Sequence, residues 1–204
     1  MIRSRRLVAA LAASVLTLSS VALADEGLAT EGKTIDGFNF RLPVYNADKV
    51  GSTVVGLDKY VGPDASDKNT KILLLSFMAS FCGPCKKEMP YLESLHEKYK
   101  DKGLRIVMVS IDTEVEGQKK IDELIAMNKV TFPVLKDRFN LAARRWLGSK
   151  TPLPSVFLIK PDGTIQTVHR GYNAEASELF ASAIEQAIGV KAEAKTVTAT
   201  QTAP

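Results

Sequence analysis

The run Ile72-Leu73-Leu74-Leu75-Ser76-Phe77 is apolar at all but one position, without the alternation of a strand that turns one face to water. With a polar loop before it and a turn after it, this run predicts a strand over 71–77 that is buried on both faces. The period then changes. From 84 to about 100, Met89, Leu92, Leu95 and Tyr99 recur on one stripe at helical spacing, and Asp101-Lys102-Gly103 ends that helix. A second buried strand is expected over 104–111, and a helix over 117–128 with Ile121, Leu124 and Ile125 inward. Residues 131–135 read as a short strand that Pro133 confines to the neighbourhood of an edge. A short helix over 140–147 ends at Gly148. Residues 155–159, the turn Pro161-Asp162-Gly163 and residues 164–170 make a β-hairpin, and Asn173 caps a last helix to about 188. Ahead of all this, Phe38, Phe40, Leu42 and Val44 alternate as a short strand. Strands and helices in alternation, closed by a hairpin, predict an α/β sandwich with strands in mixed directions.

At 204 residues the chain has room for one domain with extensions, and 45% hydrophobic residues suffice for its core. Arg3, Arg5 and Arg6 precede the apolar stretch 7–18, and Ala22-Leu23-Ala24 offers a small-x-small cleavage site. Residues 1–24 are therefore expected to be an export signal, or a membrane anchor if it is retained. Ser14, Thr17, Ser19 and Ser20 weaken the anchor reading. Ser4-Arg5-Arg6 has the start of a twin-arginine signal, but the residues after it fit poorly, which favours ordinary secretion. No cysteine follows the apolar stretch, so no lipid anchor is expected. Residues 25–36 form a polar lead and 37–189 the domain. Residues 190–204, rich in Ala and Thr, form a disordered tail. Removing the three arginines of the signal lowers the net charge from +4 to +1. A near-neutral domain gives no reason for a nucleic-acid or anionic-membrane partner. Lys86-Lys87 and Arg144-Arg145 are expected on solvated faces. The expectation is a periplasmic or otherwise extracytoplasmic monomer, soluble after cleavage.

Two cysteines, Cys82 and Cys85, are the only ones in the chain. They flank Gly83-Pro84 where the buried strand turns into the first long helix. At a helix start, unpaired amide N–H groups and the dipole favour an anion, which lowers the pKa of Cys82 and makes it the attacking thiolate. Pro84 fits the first helical turn, where its missing N–H costs nothing. Cys85 faces back and can close the ring. Three other readings stand beside this one. A half zinc site lacks about two of its four ligands, and His96 and His169 are lone. A static disulfide across so small a loop stabilises little. Inert thiols fit poorly with a helix start. An exported protein that used disulfides for stability would carry more of them, so the single pair points to redox chemistry.

Three blocks in order resemble the thioredoxin superfamily, specifically the exported TlpA/ResA-like thiol–disulfide oxidoreductases, over roughly 37–189. They are the stretch from Ser76 to Pro90 around Cys82-Gly83-Pro84-Cys85, then Val109-Ser110-Ile111-Asp112, and Pro152-Leu153-Pro154-Ser155-Val156-Phe157-Leu158-Ile159 followed by Pro161-Asp162-Gly163. The resemblance implies a thioredoxin-like fold, a central mixed β-sheet flanked by helices. It adds a helix–strand insertion between Gly117 and Leu135 and an N-terminal strand extension. It implies that Cys82 attacks a target disulfide and Cys85 resolves the mixed disulfide. Phe81, Gly83, Pro84, Leu153 and Pro154 would face the substrate, with Pro154 at the family's cis-proline, a residue type that alone forms cis peptides readily. Glu88 matches an acid of ResA-like sites and shares a helix face with Cys85, so it would take up the Cys85 proton. The competing reading is a partly exposed surface glutamate. Pro90 matches a kink-forming proline. Two positions depart from the pattern. Phe81 stands where many relatives have tryptophan, and Ser76 stands where thioredoxins carry a buried acid, which favours Glu88 as its substitute. Trp146, outside the motif, reads as core.

The activity so implied is electron transfer from the Cys82/Cys85 dithiol to a disulfide in another exported protein, with a membrane thiol carrier as electron donor. No metal and no cofactor other than the redox-active disulfide are expected. The Gly-Pro pair is that of thioredoxin, a reductant at roughly −270 mV. Cytochrome c maturation is the best-known task of such relatives; without a CxxCH of its own, the chain would be a helper there. The rival readings are a disulfide oxidase and a copper chaperone that uses the two thiolates with Met78 or Met89. A thiol peroxidase would need its cysteine in a different context.

Overall fold

Strand and helix periods map onto the elements they predict, most of them shifted by one to three residues at the ends. The computed structural model of the chain describes residues 28–171 and 174–190. The expected export signal, residues 25–27 of the lead, the Asn173 cap and the tail beyond 190 lie outside the described residues. In chain order the elements are β1 (Arg41–Pro43), α1 (Ala47–Val50), β2 (Val54–Gly56), β3 (Ile72–Met78), α2 (Gly83–Tyr99) and β4 (Leu104–Ser110). Then follow α3 (Val115–Met127), β5 (Val134–Lys136), α4 (Leu141–Leu147), β6 (Ser155–Ile159), β7 (Ile165–Arg170) and α5 (Ala174–Ile188).

Every residue of β3 is buried, Ser76 included, as a run apolar at all other positions predicts. It is the middle strand of a five-stranded sheet in the order β5-β4-β3-β6-β7. β4 pairs parallel to β3 and β5 parallel to β4, whereas β6 runs antiparallel to β3 and β7 to β6. The sheet is mixed and flanked by helices. Its topology brings the carboxyl ends of β3, β4 and β5 to one edge, the usual place for a site in such sheets. Ser155, the first residue of β6, lies in register with Phe77, so the segment before β6 reaches that same edge.

On α2 the inward stripe is Cys85, Glu88, Met89, Leu92, Leu95 and Tyr99, all buried. Each large apolar member contributes about 1.5–3 kcal/mol by leaving water. Lys86, Lys87, Arg144 and Arg145 are exposed, on solvated faces. Trp146 is fully buried at the centre of an aromatic group formed with Phe38, Phe40, Phe77 and Phe157. Its indole N–H donates to the Phe38 carbonyl at 2.7 Å. Gly148 ends α4 with φ of 73°.

Two elements differ from the pattern. The alternation from Phe38 to Val44 yields a strand only over Arg41–Pro43, paired with β2. Phe38 is held in a turn by its N–H to Ile35, and Phe38 and Phe40 turn toward Trp146. β5 starts at Val134 rather than near 131, because the buried Asn46 side chain takes up the backbone groups ahead of it. Its amide donates to the Val130 and Phe132 carbonyls at 3.3 and 2.8 Å and accepts the Val134 N–H at 3.1 Å.

Candidate functional site

Beyond Met78 the chain makes a closed turn, with the Cys82 N–H donating to the Ala79 carbonyl at 3.0 Å, and enters α2. Cys82 is the N-cap of α2, in extended conformation, and its sulfur accepts the Cys85 N–H at 3.2 Å. A sulfur held there faces the amide end of the helix, where negative charge is favoured. Cys82 and Cys85 form a disulfide, with Cα atoms 5.3 Å apart. The two sulfurs are unequal: Cys82 is 8% exposed and Cys85 fully buried. Around them Phe81 projects into solvent at 76% exposure, and Gly83 and Pro84 are exposed.

The Leu153–Pro154 peptide is cis. Pro154 is buried and Leu153 half-buried, directly before β6 at the edge where the β3–α2 turn lies. The Pro154 carbonyl accepts the Gly171 N–H at 2.8 Å, and the Ser155 hydroxyl donates to Pro152 at 2.7 Å. These contacts tie the segment to the start of β6 and to the residue after β7.

Glu88 corrects one expectation. It is not a partly exposed surface residue but 6% exposed, turned under α2 against β3. The Ser76 hydroxyl donates to its Oε2 at 2.9 Å. Burial pushes the carboxyl up to about 7, and the Ser76 bond opposes that rise. Ser76 and Glu88, linked in the sequence only as a missing acid and its substitute, are thus in direct contact: the helix supplies the buried acid and the strand a hydroxyl. One turn along α2 from Cys85 and on the same buried face, Glu88 has its carboxyl raised toward neutrality, the range in which a side chain can take up or release a proton.

A second buried acid has no assigned role in the sequence reading, although its block, Val109-Ser110-Ile111-Asp112, stands out there. Asp112 accepts the Ser80 N–H on Oδ2 at 2.9 Å and the Ser80 hydroxyl on Oδ1 at 2.6 Å. The Ser110 hydroxyl donates to Oδ2 at 2.8 Å and accepts the Asp112 N–H at 3.2 Å. Beside this group lies Tyr45, whose phenol is pushed up to about 12, first by burial, with the Ser110 hydroxyl opposing and the Asp112 charge adding. The serine–aspartate spacing was the available signal; its partner Ser80 is remote in sequence.

Among the described residues, no group of three or more His, Cys, Asp and Glu side chains could hold a metal ion. A cleft of about 540 Å³ lined by Lys68, Lys71, Lys102, Arg105 and Ile188 opens at the amino-terminal ends of β3 and β4. That is the opposite end of the sheet from the cysteines.

The chain matches the profile of the AhpC/TSA family over residues 41–168. A protein of Oceanobacillus iheyensis named thiol-disulfide oxidoreductase ResA is 40% identical over 107 residues, 52% of this chain and 53% of that protein. Its namesake in Bacillus subtilis is 31% identical over 113 residues, 55% of this chain and 60% of that protein. The matched region thus spans about half the length of these curated relatives. A solved structure from Chlorobium tepidum, whose description proposes a thiol:disulfide interchange protein DsbE, is similar with a TM-score of 0.62 at 28% identity. That similarity covers 78% of this chain and 99% of the other. A thiol:disulfide interchange protein from Bacteroides shares the fold, with a TM-score of 0.56 at 23% identity over 83% of this chain and 96% of its own.

Proposed function

Because the chain belongs to the AhpC/TSA family, in its thioredoxin-like TlpA/ResA-like group, we propose that it is an exported protein-disulfide reductase working through Cys82 and Cys85. The observation that carries this reading is the inequality of the two sulfurs. Cys82 reaches the surface at the start of α2, while Cys85 is sealed beneath it with Glu88 one turn away.

In the dithiol state the Cys82 thiolate attacks one sulfur of the target disulfide. A Cys82–target bond forms, the target S–S bond breaks, and the departing sulfur leaves as a thiolate that takes a proton from water. Cys85 then gives its proton to Glu88 and attacks the Cys82 sulfur. The mixed disulfide breaks, the second target sulfur leaves, and the Cys82–Cys85 disulfide results. Two electrons have passed to the target, and the dithiol of a membrane thiol carrier supplies two more to the Cys82–Cys85 disulfide, becoming a disulfide itself. Phe81, Gly83 and Pro84 offer the surface beside Cys82, and the Leu153–Pro154 segment offers Leu153 backbone to an extended target. Apocytochrome c cysteines are the target class we assign to this surface.

The full chain should reduce the disulfides of insulin with a dithiol donor. Cys82→Ser and Cys85→Ser should each abolish turnover, because attack and resolution each need a sulfur. Activity that survives in Cys82→Ser would remove that residue as the nucleophile. In Cys85→Ser the mixed disulfide cannot be resolved, so the target trapped on Cys82 identifies the substrate; a trap that contains no apocytochrome overturns that assignment.

A further inference from the structure

Resting on Cys82 as the attacking sulfur, we propose that Asp112 is a positioning residue for it, clamping the turn 79–82 to the end of β4 through Ser80. The backbone pairing of β3 and β4 runs out at Met78 and Ser110, with one further bond from the Ile111 N–H to the Met78 carbonyl at 3.0 Å. Past that point one chain turns toward α2 and the other toward α3, so a side chain must bridge the gap. Asp112 does so with both oxygens, one on the Ser80 N–H and one on its hydroxyl. Ser110 fixes the carboxylate in turn, donating to Oδ2 and accepting the Asp112 N–H. All three residues are buried.

Two further features fit a clamp. Gly117, in the first turns of α3, lies so close that a Cβ there would stand 2.5 Å from Asp112 Oδ1. The carboxylate is thus enclosed from that side as well. In addition, the Cys82 N–H bond to Ala79 makes residues 79–82 one closed turn, so holding residue 80 holds residue 82. Hydrogen bonds to an ionised group are the strong and directional ones, which suits a positioning role.

The clamp weighs unequally in the two redox states. In the disulfide state the bond to Cys85 also fixes Cys82. In the dithiol state that bond is gone, and the Asp112 contacts keep the sulfur at the helix start, where the Cys85 N–H and the dipole stabilise a thiolate. Loss of the clamp therefore costs the dithiol state more.

Ser80→Ala is the decisive variant, because it removes one clamp bond and leaves the Asp112 charge in place. In the full chain, iodoacetamide alkylation of reduced Cys82 at pH 7 should slow about tenfold, the size expected for one lost bond to a charged group. Equilibrium with glutathione should shift about tenfold toward the disulfide, ~30 mV. Ser110→Ala, which loosens Asp112 without touching residue 80, should shift both readings the same way by less, and serves if Ser80→Ala does not fold. A lowered melting temperature with both readings within about twofold of wild type would mean that the clamp only holds the sheet end, and the proposal falls. Both readings report on Cys82 itself, so they remain decisive even if the wild type reduces no protein disulfide.

Discussion

At the scale of a residue, Glu88 is a carboxyl sealed under α2, with the Ser76 hydroxyl as its hydrogen-bond partner. Its ordinary value of 4.5 rises to about 7 because burial penalises the charged form more than the serine bond favours it. Between these two values the native state keeps a proton that the unfolded chain has released. Stability therefore falls as pH rises from about 4.5 to about 7, and this contribution is constant above that. The loss is on the order of 3 kcal/mol. Glu88→Gln should remove it, so urea denaturation of the disulfide form at pH 5 and pH 8 should show a smaller difference in the variant than in wild type. An unchanged difference would mean that Glu88 is ionised throughout. Ser76→Ala, which removes the bond that favours the charged form, should move the window upward in pH. Both cysteines and Glu88 were legible in the sequence as candidates. The burial of Glu88 was not, because it depends on contact with a strand twelve residues earlier in the chain.

Elements in this protein are closed by side chains as much as by backbone. Asn46 serves three backbone groups of the 130–134 segment from more than eighty residues away. Asp137 accepts the Leu141 and Ala143 N–H groups at the start of α4 at 3.0 and 2.8 Å. Asn140 takes a left-handed conformation, with φ of 54°. Asn46→Ala should leave buried donors and acceptors unpaired and destabilise the protein by about 2–3 kcal/mol, measured by urea denaturation. A loss under about 0.5 kcal/mol, the range of surface substitutions, would show that water replaces the amide. The apolar period placed α2, β3, β4 and the β6–β7 hairpin to within a few residues. It overextended β1 and started β5 early, because period alone does not show where a side chain from another element captures the backbone.

For the whole molecule, Trp146 joins the segment before β1 to the sheet. Phe38 and Phe40 pack edge-on to it, with ring centroids 5.6 and 6.4 Å away, and Phe77 of β3 and Phe157 of β6 pack on it from the sheet. Trp146→Ala should cost about 3–5 kcal/mol, the usual range for a buried aromatic, followed by circular dichroism in urea. A cost under 1 kcal/mol would mean that the N-terminal segment packs independently of this core. Because Trp146 is the sole tryptophan, its fluorescence in wild type should report the same transition as circular dichroism.

What the sequence determined by itself is what short stretches decide locally: the strand and helix periods, the CxxC at a strand-to-helix turn, and the three blocks that mark the family. Only the tertiary structure decided which polar side chains lie inside. Ser76 lies against Glu88, Ser80 against Asp112, and Asn46 against the segment ahead of β5. The reason is physical. Hydrophobic period reads along one element, whereas a buried acid is set by the partner that faces it from another, and that partner is chosen by how helices and strands pack together. The redox pair was visible in four consecutive residues and Glu88 in the block around it, but the burial of Glu88 and the contacts of Asp112 came into view only when β3, β4 and α2 were brought together.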